Sequence, residues 1–207
     1  MTIEFDYNLH IFHSRQLQSV VDDALRFFTS TPVYPLSDLK RFTGAGVYNL
    51  YYIGRNFSLY QKIAEANKNG YVQPIYVGKA VPPGWRRGRT VNTDTPDLYR
   101  RLIEHSRSIK QANNLQVEDF KCQFMILSGL ESDLIVPVEA TLIRKHAPLW
   151  NTVIDGFGNH DPGSGRYNQA KSEWDVLHPG RPWVERLTGQ SPDLENIVVK
   201  VQQSLQS

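Results

Sequence analysis

Two short strand-like segments, each with a tyrosine close to a glycine, precede two helices that start around a proline. This order restricts the fold more than any other feature of the chain. Gly46 to Ile53 is rich in tyrosine, valine and isoleucine and reads as a strand. Pro74 to Gly78 is a second, shorter strand bounded by proline and glycine. Between them, Leu59 to Asn69 reads as an inserted helix ended by Gly70. Thr95-Pro96-Asp97 starts the next helix, which runs to about Ala112. It supplies a capping residue, a proline at the first helical position and an acid at the positive end. Phe120 to Leu127 is a third strand. Val136 to about His146 is a helix with Pro137 near its start and Pro148 closing it. Short strands and helices in this order predict an α+β fold, a small three-stranded, mainly antiparallel sheet flanked by helices.

The flanks are less regular. Residues 14 to 28 read as a helix, with Leu17, Val20, Val21, Leu25 and Phe28 at helical spacing. A loop holding Pro32 and Pro35 follows, up to Thr43. Residues 156 to 190 are dense in glycine, proline and tryptophan and predict a long ordered loop system, followed by a short helix and a tail. At 207 residues and 40% hydrophobic, the chain is a single domain that can bury a core. One cysteine, Cys122, excludes an internal disulfide framework and a cysteine-rich zinc finger. No run approaches the roughly 20 apolar residues of a membrane span. The first residues lack the basic flank and apolar run of a secretory signal. A soluble protein of a reducing compartment is expected. Six scattered histidines without a metalloprotease-type pair argue against a zinc hydrolase.

The net charge of +2 hides an uneven distribution. Residues 79 to 110 hold eight basic side chains and three acidic ones, so this segment is +5 and the remainder −3. Six of the eight are arginines, whose planar fork suits bidentate contact with phosphate. Such a patch attracts polyanions; a solvated helix face is the plainer reading of the same residues.

Two helices carry polar groups at unusual places. On the helix after Pro96, Leu98, Leu102, Ile103 and Ile109 form the buried stripe, and Arg101 and His105 lie one turn apart at its edge. They either reach over the sheet or serve as a snorkelling cation and a half-buried packing residue. On the helix after Pro137, Glu139 falls inside the apolar face of Val138, Leu142 and Ile143. A buried carboxylate must neutralise, pair or bind a cation. A structural ion pair and a divalent metal site both satisfy that requirement.

Gly46-Val47-Tyr48, Tyr76-Val77-Gly78, Arg101 with His105, Glu139 and Asn151, taken in order, resemble the GIY-YIG nuclease superfamily over residues 43 to 155. The literal string Tyr52-Ile53-Gly54 is not the second motif. Three residues after Tyr48 cannot finish one strand, turn and begin another. The chain departs from compact members in the 27 residues between Tyr48 and Tyr76 and in the insert after Lys79. Within the superfamily it is most similar to type II restriction endonucleases. The resemblance divides the domain into a catalytic core at 43–155, an amino-terminal extension at 1–42 for packing or dimerisation, and a carboxy-terminal extension at 156–207 for DNA contact.

The resemblance implies hydrolysis of a DNA phosphodiester at a specific, palindromic duplex site. Its implied catalytic residues are Tyr48, Tyr76, Arg101, His105, Glu139 and Asn151. Glu139 would hold one Mg²⁺, with Mn²⁺ as a substitute, and Tyr48 would orient or deprotonate the attacking water with His105 as proton relay. Implied DNA contacts are Lys79, Arg86, Arg87, Arg89, Asn159, His160, Arg166, Asn168, Gln169 and Arg181, of types that hold phosphates or read base edges. A homodimer matching the two-fold symmetry of the site, a cognate DNA methyltransferase, no membrane association and a bacterial cytoplasmic location are also expected. A structure-specific repair nuclease and a non-catalytic DNA-binding module of the same fold are the alternatives.

Overall fold

The computed structural model describes residues 5–85 and 94–206. Its sheet has four antiparallel strands rather than three, in the order β1-β4-β2-β3: β1 is Val33–Pro35, β2 Gly46–Tyr52, β3 Tyr76–Ala80 and β4 Phe120–Ile126. The extra strand lies in the segment expected to be a loop because of Pro32 and Pro35. Proline lacks a backbone donor but is tolerated on a sheet edge, which is where β1 sits. Pro35 lies opposite Lys121, and Leu36 N–H donates to the Phe120 carbonyl at 3.1 Å. The class is α+β, and part of the amino-terminal extension is built into the sheet.

Strand alternation sorts the core into two layers. Tyr48, Leu50 and Tyr52 face one side, with Leu98, Leu102 and Ile109 of α3 (Asp97–Gln111) and Trp150 of α5 (Leu149–Thr152). Val47, Val77 and Met125 face the other, under Phe28 of α1 (Arg15–Ser30) and Ile135, Val138 and Leu142 of α4 (Ile135–His146). Ser14 caps α1 by accepting from Leu17 N–H. Only Val21 and Phe28 of α1 are buried; Leu17, Val20 and Phe27 stay exposed. No described helix is long and apolar enough to cross a membrane.

Two of the motif's glycines are explained by close approach. Tyr48 lies opposite Gly78 in the β2–β3 register, and a side chain at Gly78 would overlap the Tyr48 phenol. A side chain at Gly46 would overlap the Met125 carbonyl of β4.

The insert between β2 and β3 folds as a 3-10 turn at Ser58–Tyr60 and a short helix, α2 (Gln61–Ala66). Its return is fastened by one buried side chain. Asn67 donates to the carbonyls of Tyr52 (3.1 Å) and Gln73 (3.0 Å) and accepts from the N–H groups of Val72 (3.1 Å) and Gln73 (2.9 Å). The carboxy-terminal loop system contains α6 (Glu173–Leu177), and the chain ends on α7 (Leu194–Gln206). His178 at the end of α6 is fully buried. Its Nδ1 meets Asn114 Oδ1 at 2.8 Å and its Nε2 meets the Tyr60 hydroxyl at 2.6 Å. The Trp150 indole N–H donates to the same hydroxyl at 3.0 Å. Asn67→Ala leaves four backbone groups without their partner, the Tyr52 carbonyl among them buried. The expected destabilisation is about 2 to 3 kcal/mol, read as a lower urea midpoint with an unchanged slope.

Candidate active site

β3 is the edge strand opposite β1, and the candidate residues meet around it. Tyr76 and Gly78 lie on the α3 side with Tyr48; Lys79 lies on the α4 side, opposite Val47. The edge itself is occupied by Asn151 from α5. Its Oδ1 accepts from Val77 N–H and its Nδ2 donates to the Val77 carbonyl, both at 2.8 Å. The side-chain amide thus takes the two hydrogen bonds a further strand would have made. Asn151 is one of the catalytic residues that the resemblance implies. Both of its polar atoms are engaged by β3, so it positions the strand that carries Tyr76.

On the α3 face, the Tyr48 hydroxyl and His105 Nε2 are 2.6 Å apart, and both residues are buried. The Tyr48, Tyr76 and His105 rings have centroids 5.2 to 6.2 Å apart. Burial pushes the Tyr48 phenol well above its ordinary value, the Tyr76 hydroxyl beside it adds to this, and the Arg101 guanidinium opposes both. Burial also holds His105 well below its ordinary value, helped by the charges of Arg101, His160 and Arg181. The resting pair is therefore a neutral phenol and a neutral imidazole, and in the Nδ1–H tautomer the phenol donates to Nε2. Full ionisation of Tyr48 is disfavoured in this state.

Arg101 sits where the two faces meet. Its Nη1 donates to Glu104 at 3.1 Å and lies 2.6 Å from His160 Nε2; its Nη2 donates to the Gly158 carbonyl at 3.3 Å. A methyl group at Gly158 would come within 3.1 Å of the Tyr76 hydroxyl and 3.2 Å of Arg101 Nη2, so this glycine admits the approach of both. From the other face, Glu139 forms an ion pair with Lys79. The carboxylate is only partly covered, with its side chain 14% exposed. An ion pair is one of the two partners left open by its helical position. The cation is a lysine from the adjacent strand.

Tyr76, Lys79, Arg101, Glu104, Glu139 and His160 line one open cleft of about 490 Å³. A larger cavity of about 730 Å³ between α2 and α7 has none of these residues in its wall. No group of three or more histidine, cysteine or acidic side chains suited to a metal occurs among the described residues. The carboxylates lining the cleft are those of Glu139, Glu104 and Asp97, and Glu139 alone among them is paired with the cleft lysine. Such carboxylates fit Mg²⁺, which keeps several waters and takes one or two carboxylates plus phosphate oxygens.

The candidate DNA contacts separate. Lys79 is in the cleft. Asn159, His160, Arg166 and Gln169 line an adjoining polar pocket of about 310 Å³, and Asn168 is exposed nearby. Arg86, Arg87 and Arg89 lie outside the described residues. Arg181 is a correction: its side chain is 1% exposed and bound to Asp175 at 2.6 Å, so it has no surface to offer DNA. Sequence reasoning missed Phe157, which stacks on His105 at 4.5 Å with planes 17° apart. It also missed Glu104, whose place three residues after Arg101 on one helix was the available signal.

A strand pair holding a buried tyrosine against a histidine, with an arginine and a glutamate at its edge, defines a nuclease of the GIY-YIG class. The family model described as the Eco29kI GIY-YIG domain matches residues 40–205. The chain belongs to this family, a restriction-endonuclease family of the GIY-YIG superfamily. Among curated proteins, none matches it.

The buried neutral histidines set a pH dependence of folding. His178 is held down to about 3 by burial, with Arg181 adding to the effect. Both it and His105 remain neutral in the folded chain while an unfolded histidine titrates near 6.5. Stability is complete above the unfolded value and falls as the pH drops below it, because only the unfolded chain gains the proton. Between pH 7 and pH 5, His178 alone should remove about 2 kcal/mol, and His105 should add to the loss. Urea midpoints at the two pH values measure this, and His178→Gln should flatten the dependence.

Proposed function

We propose that the protein is a type II restriction endonuclease that hydrolyses a phosphodiester bond in each strand of a specific, palindromic duplex site. The observation that carries this reading is the meeting of Arg101, Tyr76, Lys79 and Glu139 on one cleft, with the Tyr48–His105 hydrogen bond directly behind it. The family match to a restriction endonuclease domain supports DNA as the substrate. The adjoining pocket of Asn159, His160, Arg166 and Gln169 offers side chains able to read bases or hold phosphates.

In the mechanism, Arg101 turns from Glu104 and His160 to the scissile phosphate and offsets its growing charge. Tyr48 orients the attacking water. As the water oxygen forms its bond to phosphorus, its proton passes to the Tyr48 oxygen and the phenol proton passes to His105 Nε2. His105, neutral at rest, holds the lone pair that receives it, and the turn of Arg101 onto phosphate removes one of the charges that depress its basicity. The phosphorus–oxygen bond to the leaving group breaks, and the leaving oxygen takes a proton from solvent. Glu139 would hold the Mg²⁺, leaving Lys79 to move onto phosphate. A bound Mg²⁺ supplies positive charge against the phosphate oxygens, as Mn²⁺ also would.

Incubation of phage DNA in Mg²⁺ buffer tests the reading. Discrete fragments support it, a smear indicates a non-specific nuclease, and intact DNA indicates a binder. Activity on flaps alone indicates a repair nuclease. Glu139→Gln, Tyr48→Phe and Arg101→Ala should each lower the cleavage rate by about 100-fold or more with the circular dichroism spectrum unchanged. Near-wild-type turnover by Glu139→Gln would remove the metal assignment.

The two-fold symmetry of such a site calls for a homodimer. The exposed Phe5, Tyr7, Leu9, Phe12, Leu17, Val20 and Phe27 of the amino-terminal extension support its role as the contact. A cognate methyltransferase that protects the same site in the bacterial cytoplasm completes the proposal. Light scattering should give a dimer, and the paired change Val20→Glu with Phe27→Glu should give a monomer. A wild-type monomer with and without DNA rejects this assembly.

A further inference from the structure

The segment after α5 has no regular structure from Gly156 to His160, yet it makes three of the closest contacts to the candidate catalytic groups. Phe157 stacks on His105, and the Gly158 carbonyl and His160 both engage Arg101. A loop that performs such work needs its backbone held from outside, because it has no ladder of its own.

That support comes from one side chain. Arg181 Nη2 donates to the Gly156 carbonyl at 3.0 Å, and Nη1 donates to the carbonyls of Asn159 at 3.0 Å and Phe157 at 3.3 Å. Its Nε donates to Asp175 Oδ1 at 2.6 Å. The other Asp175 oxygen accepts from the Ser172 hydroxyl at 2.6 Å. The guanidinium lies 4.7 Å from the Trp174 ring centre and 4.9 Å from that of Trp183. A buried ion pair is a poor source of stability, since desolvation offsets much of its attraction. What arginine supplies here is a rigid fork of donors, matched to three carbonyls of one loop.

We propose that Arg181, oriented by Asp175, is a positioning residue for catalysis: it fixes the Gly156–His160 loop and through it sets His105 and Arg101. It touches neither substrate nor reacting atoms. The groups facing His105 are Tyr48 from β2, Tyr76 from β3, Arg101 on its own helix, and His160 and Arg181 from the carboxy-terminal segment. Phe157 covers the imidazole, so loosening the loop admits water to it. The functional consequence rests on the nuclease reading; the structural one does not.

The test compares wild type with Arg181→Lys, which keeps the charge and loses the fork, and with the milder Asp175→Asn. Three quantities are read: the His105 titration by NMR without DNA or metal, the single-turnover cleavage rate at saturating enzyme, and DNA affinity in Ca²⁺. Arg181→Lys should move the His105 titration up toward the ordinary histidine range. It should lower the single-turnover rate by roughly 10- to 100-fold, shift the acid limb of its pH profile upward, and leave DNA affinity within about twofold. Asp175→Asn should change the same quantities in the same directions by less, and it decides the matter if Arg181→Lys does not fold. A tenfold loss of affinity with the titration and saturated rate unchanged overturns the proposal in favour of direct DNA contact. A lower melting temperature with the titration and rate unchanged overturns it in favour of a purely structural role. If wild type cleaves no DNA, the nuclease reading fails, and the His105 titration alone still decides whether Arg181 positions the loop.

Discussion

Strand β3 has a neighbour on one side only, and the hydrogen bonds from Asn151 to Val77 close the other. Everything in the candidate site is referred to this edge. An unclosed edge would let β3 shift or pair elsewhere, and a slip by one residue would exchange its two faces. Tyr76 and Gly78 would then leave the Tyr48 side, and Lys79 would leave Glu139. A single asparagine from α5 fixes the register without covering the edge with a full strand, so the cleft stays open. α5 is itself anchored, with Trp150 N–H on the Ile75 carbonyl at 2.9 Å and the Trp150 indole on Tyr60.

The site that results divides its labour between the faces of the sheet. The α3 face is dry, and there a phenol and an imidazole satisfy each other. Dryness keeps both uncharged, which raises the cost of ionising either one. The α4 face is wetter, and there the charges of Lys79 and Glu139 are paired and partly accessible. The charged groups line the open cleft, and the Tyr48–His105 pair is buried behind them. Arg101 joins the two, since its burial is partial and its partners, Glu104, His160 and the Gly158 carbonyl, lie on the cleft side.

Much of this was legible in the sequence, and the limits have physical reasons. The helix at Asp97 was marked by its proline and acid, and the buried edge position of His105 by helical spacing. The pairing of Tyr48 with the glycine of the second motif, rather than with Tyr52-Ile53-Gly54, followed from the length a turn requires. β1 was hidden because prolines read as loop until the strand is known to be an edge. The Lys79–Glu139 pair spans 60 residues, and no local pattern reports a contact at that separation. Glycine- and tryptophan-rich sequence gave no period for residues 156 to 190, so the loop's internal scaffold could not be read from it.

Arg181 shows why residue type alone misassigns function in such a segment. Arginines are usually exposed, and in a nuclease an exposed arginine suggests DNA. Here the loop it serves has more carbonyls to satisfy than its own backbone can reach, and arginine carries the most donors of any side chain. The same chemistry that suits arginine to phosphate suits it to a set of inward-facing carbonyls. What separates the two uses is a buried carboxylate close in sequence. Asp175, six residues before Arg181 and fully covered, neutralises the charge where no solvent reaches it. A charge neutralised in that way is committed to the interior, and its influence on the reaction runs through the atoms it holds in place.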